Sequence, residues 1–196
     1  MTSITARGIR VWYEESGPVG GRSCVLIHGF TGSVAEWSTV IPMLNDLGWR
    51  TLAIDCPGHG RSASPPARDA CTMHALADLH HDVAVTLGFR DAVVLGFSTG
   101  GAVAEEYALR HPNDVRALVL FGSAGRDMLS NLVDLELPTL IVHGDREEGS
   151  IVQAARRQHR ALGSSYAVVP DAGHFAQDDN PGALNAIVRD FLATLE

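Results

Sequence analysis

Ser98 stands in Gly96-Phe97-Ser98-Thr99-Gly100, entered from the apolar run Val93-Val94-Leu95 and left through the small residues Gly101-Ala102-Val103-Ala104. A β-branched run that breaks at G-x-S-x-G and continues as a helix is the pattern of a strand-to-helix turn that exposes a serine hydroxyl, the nucleophile elbow. On so tight a turn the serine is forced toward positive φ. Side chains two residues to either side would collide, and glycine at 96 and 100 relieves that crowding. A serine hydroxyl is a weak nucleophile at neutral pH, so acyl transfer here requires a base. Asp171-Ala172-Gly173-His174-Phe175 supplies a late histidine, and Leu140-Ile141-Val142-His143 runs into Gly144-Asp145-Arg146-Glu147-Glu148, an apolar segment ending in acids. The order serine, acid, histidine is therefore available along the chain.

A second apolar segment, Cys24-Val25-Leu26-Ile27, ends in His28-Gly29-Phe30-Thr31-Gly32. Glycines at such a strand end suit a loop whose backbone N–H groups approach a ligand closely. The surrounding pattern is one of alternation. Strands are expected at 9–13, 24–28, 50–55, 92–96, 115–121, 138–143 and 166–169, and helices at 35–47, 72–87, 99–110, 150–162 and about 181–195. The turn Gly17-Pro18-Val19-Gly20-Gly21 predicts an antiparallel hairpin between the first two strands. Continuous apolar strands separated by helices predict an α/β fold, a mostly parallel sheet of about eight strands covered on both faces. Ligands bind beyond the carboxyl ends of such strands, where Ser98, the acids at 145–148 and His174 would gather.

The 196 residues suit a single domain over 1–196, with 125–137 as a short connector of one helix at most. A formal charge of −8 with acids spread along the chain argues against a nucleic-acid or anionic-membrane partner, since both reward a basic patch. Three cysteines, Cys24, Cys56 and Cys71, lack the spacing of a zinc site or a disulfide framework and read as reduced thiols. No stretch approaches a membrane span and Met1–Arg7 has no apolar leader, so a cytoplasmic setting is expected. His74, Asp78, His81 and Asp82 have near-helical spacing but are expected on the solvated side of a helix whose apolar stripe is Leu76, Leu79, Val83 and Leu87. No metal is expected there.

Six blocks taken together resemble the α/β-hydrolase fold family over nearly the whole chain: 28–32, 55–62, 96–101, 110–112, 138–144 and 173–175. The resemblance implies Ser98 as nucleophile, His174 as base, and an oxyanion hole from the backbone N–H groups of Phe30 and Thr99, with no cofactor. It places the triad acid three residues after the glycine of His143-Gly144, at Glu147, where aspartate is commoner in the family. Glu148, Asp145 and Asp127 remain alternatives. The family's helical cap, usually inserted between the strands 115–121 and 138–143, is absent or reduced to the connector. Trp37 is expected either to line an acyl pocket or to sit in the core, while His28 and His59 are expected to shape loops.

The expected activity is hydrolysis of carboxylic esters with small or short acyl chains through an acyl-enzyme, by a monomer or homodimer. Resemblance to ring-fission hydrolases, menaquinone-pathway lyases and cofactor-free haloperoxidases keeps carbon–carbon bond chemistry and a perhydrolase side activity open. A catalytically inactive hydrolase scaffold is the reading from outside enzymes, whereas a serine at position 98 excludes the branches with an aspartate nucleophile.

Overall fold

The computed structural model describes residues 2–65, 67–123, 132–147 and 149–195. Eight strands form one sheet: β1 (Ser3–Ala6), β2 (Ile9–Ser16), β3 (Arg22–Ile27), β4 (Trp49–Ile54), β5 (Ala92–Phe97), β6 (Val115–Phe121), β7 (Thr139–Gly144) and β8 (Ser165–Val169). Their order is β1-β2-β4-β3-β5-β6-β7-β8. From β4 to β8 every pairing is parallel, and only β1–β2 and β2–β4 are antiparallel. The helices are α1 (Val40–Asp46), α2 (Met73–Thr86), α3 (Thr99–Arg110), α4 (Ser150–Leu162), α5 (Ala176–Asp179) and α6 (Pro181–Ala193).

Alternation along the central strands divides the core in two. Val25, Ile27, Val94, Leu118, Leu120 and Ile141 pack with α2, α3 and Ala155 of α4. Their neighbours Cys24, Leu26, Val93, Leu95, Val119 and Val142 pack with α1 and α6 on the opposite face. Each strand thus feeds both cores, which is why these segments read as unbroken apolar runs.

Two local expectations are corrected. Segments 9–13 and 24–28 do not form a hairpin: β2 pairs with β1 and with β4, and β4 separates it from β3. Strand β2 alternates buried and exposed residues at its start, as suits a place near the sheet edge, whereas β3 is buried at its last four positions and takes a partner on both sides. The hairpin is β1–β2, closed by Arg7 and Gly8 with φ of 49° and 75°, the pair of positive φ values that a tight two-residue turn demands. Nor does one helix span 35–47. A 3-10 turn, Val34–Trp37, precedes α1. Pro42 has no N–H for the carbonyl of Ser38 and its ring would strike that carbonyl, so the helix starts afresh at Val40.

Of the connector 125–137, residues 125–131 lie outside the described residues. In the remainder, Leu132 is buried against the α2–α3 core and Leu135 N–H donates to the Leu132 carbonyl.

Candidate active site

Ser98 follows β5 and precedes α3, with φ 53° and ψ −117°. A non-glycine residue held there is strained, and the surroundings fix it. Its N–H donates to the Phe121 carbonyl at 2.8 Å. A Cβ on Gly96 would lie 2.4 Å from the Gly100 carbonyl oxygen, and one on Gly100 would lie 2.1 Å from that of Ile27. Both obstacles are backbone, so neither glycine has a substitute. The close approach of α3 to β3 and β5 is what lifts the Ser98 hydroxyl out of the sheet edge.

His174 reaches that hydroxyl from the loop after β8, its Nε2 3.2 Å from Ser98 Oγ. On the other side of the ring, Nδ1 lies 2.6 Å from Glu147 Oε1. Because a carboxylate only accepts, the proton sits on Nδ1 and the Nε2 lone pair faces the serine. Two loops must be in register for this, and backbone bonds set them. Asp145 N–H donates to the Val169 carbonyl at 2.9 Å and Arg146 N–H to the Ala172 carbonyl at 2.8 Å. Gly144 permits the crossing, since a Cβ there would be 2.0 Å from the Ala172 oxygen. Phe97 packs against the imidazole, ring centroids 5.0 Å apart.

Among the acids considered, Glu147 is the one that the structure brings to His174. Its side chain is 4% exposed, and its second oxygen has no partner among the described residues. Asp145 instead accepts from Ala172 N–H at 3.1 Å and ties the two loops. The backbone N–H of Asp171, then that of Ala172, holds the Asp145 carboxyl below its usual range. Glu148 and Asp127 lie outside the described residues.

The N–H groups of Phe30 and Thr99 have no acceptor among the described residues, and both residues line one cavity of about 330 Å³. Thr99 begins α3, where the helix dipole also favours negative charge. The Phe30 loop is held from several directions. Gly29 N–H donates to Glu36 Oε2 at 2.9 Å, and Val34 N–H donates to Asp55 Oδ1 at 2.8 Å. Asp55, buried at the end of β4, also accepts from Arg61 N–H at 2.7 Å through its other oxygen. Glu36 stands in none of the six blocks, and Asp55 opens the block 55–62 without a role being read for it. The signal for Glu36 is its spacing from Ser33, a capping-box interval, although its carboxylate reaches back to Gly29.

Trp37 does not line the cavity. It is 1% exposed in the core and packs on Phe121 at 5.9 Å, because the 3-10 turn rotates its indole under the sheet face rather than toward Ser98. His59 bonds its own turn, Nδ1 to the Pro57 carbonyl at 3.1 Å, and also contributes to the cavity wall. The polar residues of α2 divide: the side chains of His74 and Asp82 are 66% and 44% exposed, as expected, whereas Asp78 and His81 lie between helices. Asp78 takes Arg110 at 2.7 and 2.8 Å and His111 at 2.9 Å, and His81 takes Asp114 at 2.8 Å. The Arg110 hydrogen bonds, with that of His111, hold the Asp78 carboxyl down at about 2.

Known proteins share this architecture. A thermophilic esterase from Thermogutta terrifontis superposes with a TM-score of 0.89 over 99% of this chain and 97% of its own, at 21% identity. A predicted CIB-like hydrolase from Thermoplasma acidophilum gives 0.91 over 98% and 96%, at 24% identity. In sequence, a putative non-heme haloperoxidase of Mycobacterium phage D29 is 32% identical over 77% of this chain and 53% of its own length. A putative 2-succinyl-6-hydroxy-2,4-cyclohexadiene-1-carboxylate synthase of Bacillus subtilis is 34% identical over 58% and 40%. The chain therefore spans about half or less of the length of these two curated relatives. No helix among the described residues is long and apolar enough to cross a membrane. The alpha/beta hydrolase fold profile matches residues 24–137, from the strand before the Phe30 loop through the serine turn, and on that match the chain belongs to the alpha/beta hydrolase fold family.

Proposed function

We propose that this hydrolase cleaves carboxylic esters of small or short acyl chains, with Ser98 as nucleophile, His174 as general base and acid, and Glu147 as the triad acid. The observation that carries the reading is the unbroken relay from Glu147 Oε1 to His174 to Ser98 Oγ, ending on a serine held at positive φ. Ser98 Oγ attacks the ester carbonyl carbon while its proton passes to His174 Nε2. Glu147 stabilises the imidazolium so formed. The carbonyl oxygen takes the negative charge and meets the N–H groups of Phe30 and Thr99. Collapse expels the alcohol, which leaves with the proton from Nε2, and water repeats the cycle on the acyl-serine.

A fluorophosphonate, read by intact mass, tests the reading: one phosphonyl adduct on the parent chain and none on Ser98→Ala is expected. A folded parent that stays unlabelled and turns over no activated ester would sink it. The likeness to the Bacillus subtilis synthase favours one second reading, in which the same serine and histidine act beside a carbon–carbon bond. Release of an alcohol from simple esters separates the two. The acidic charge and the unbridged cysteines support a cytoplasmic enzyme without nucleic-acid or membrane partners, as monomer or homodimer.

A further inference from the structure

Beside the two oxyanion donors lies the cavity of about 330 Å³, and the described residues show what it accepts. Its walls include Pro57 from the loop after β4, Cys71 and Met73 from the entry to α2, Leu76 one turn on, and Val103 of α3. Among the described residues, no lysine, arginine, aspartate or glutamate lines it. The thiol of Cys56 is kept protonated by burial, and His28 by the same cause is held neutral. The wall facing the oxyanion loop is thus built by the start of α2, within the hydrolase core itself.

The catalytic geometry decides which half of an ester enters. A tetrahedral carbon on Ser98 Oγ carries three further groups. Its oxyanion must face Phe30 and Thr99, and its leaving oxygen must face His174 Nε2 to receive the proton. Phe30 and Thr99 line the cavity and His174 does not. The substituent that points past the oxyanion donors and away from the imidazole is the acyl chain.

We infer that the cavity walled by Met73, Leu76 and Val103 is the acyl site of this enzyme, and that it selects uncharged acyl chains of about six to eight carbons. The assignment rests on the ester-hydrolase reading above and sets an upper bound on its short acyl chains. A chain carbon takes about the space of a water molecule, about 30 Å³ in the liquid, so the cavity packed full holds about ten and loosely filled about six. Each methylene transferred from water into such walls favours binding about fourfold.

The test is a series of p-nitrophenyl esters from acetate to dodecanoate, set against alkyl acetates from methyl to hexyl, with fluorophosphonate labelling run in parallel. The expected result is kcat/KM rising up to about fourfold per methylene to a hexanoate or octanoate optimum and falling at dodecanoate. Lengthening the alcohol should change it by less than about threefold in all. Leu76→Trp should lower the hexanoate-to-acetate ratio of kcat/KM at least tenfold, and Met73→Trp gives the same reading should Leu76→Trp fail to fold. Labelled Ser98 with a flat acyl series, or with a preference that follows the alcohol, overturns the acyl assignment and leaves the hydrolase reading intact. A folded parent with neither labelling nor turnover overturns both.

Discussion

The ring of His28 holds the carbonyl oxygen of Gly29 from Nδ1 at 2.8 Å, and that carbonyl shares its peptide plane with the N–H of Phe30. In a trans peptide the two point in opposite directions, so fixing the carbonyl aims the N–H. Gly32 N–H donates to the same oxygen at 3.1 Å, and two donors on one carbonyl polarise the peptide and strengthen its N–H as a donor. The tautomer is fixed as well. Cys56 N–H donates to His28 Nε2 at 2.9 Å, so the ring proton must be on Nδ1, facing Gly29.

His28→Ala should therefore lower kcat by about tenfold to a hundredfold with KM little changed, somewhat less than the loss from removing an oxyanion donor outright. The loss falls on kcat because the Phe30 N–H is worth most when the oxygen becomes anionic. Steady-state kinetics on an activated ester decide it. A rise in KM alone would show that the ring merely shapes the substrate site.

Glu147 and Asp145 stand two residues apart with opposite duties, and substitution should separate them. Glu147→Gln leaves an amide against Nδ1 and disfavours the tautomer that the serine needs, so kcat should fall about a thousandfold to ten-thousandfold. Asp145→Asn keeps an acceptor for Ala172 N–H and should stay within about threefold of the parent. Equal losses in the two variants would return the triad acid to open choice.

Ser98, His174 and the alternating strands were legible because each leaves a local mark: glycines two residues either side of a serine, and apolar runs of strand length. The acid was legible only as a cluster. Which of four carboxylates reaches His174 depends on the bonds from Asp145 N–H to Val169 and Arg146 N–H to Ala172, contacts between loops that no spacing records. Trp37 stayed open between pocket and core for a related reason. Its distance in sequence from Phe30 is short, yet Pro42 breaks the predicted helix and a 3-10 turn carries the indole into the core. Strand β1, four residues at the edge of which Ala6 alone is buried, has too little apolar pattern to be seen.

Glu105 makes a prediction about stability rather than catalysis. It is 2% exposed at the middle of α3, and its Oε1 accepts from Gln158 Nε2 of α4. Burial drives its carboxyl up to about 7 from 4.5, against the smaller opposing effect of the Gln158 bond. A carboxyl raised in the folded state stabilises while protonated: its contribution is complete below pH 4.5 and is lost as pH rises through 7. Glu105→Gln keeps an uncharged group of the same shape and does not titrate. Relative to the parent, the variant should gain on the order of 3 kcal/mol between pH 4.5 and pH 8, with most of the gain made by pH 7. His80 works in the reverse sense. Burial lowers it to about 4, so its contribution is present above pH 6.5 and is lost as pH falls toward 4. The parent's profile mixes the two groups, whereas the difference between variant and parent isolates Glu105. Urea midpoints measured at half-unit steps from pH 4.5 to 8 give that difference, and a difference independent of pH would show that Glu105 is not buried as a neutral acid.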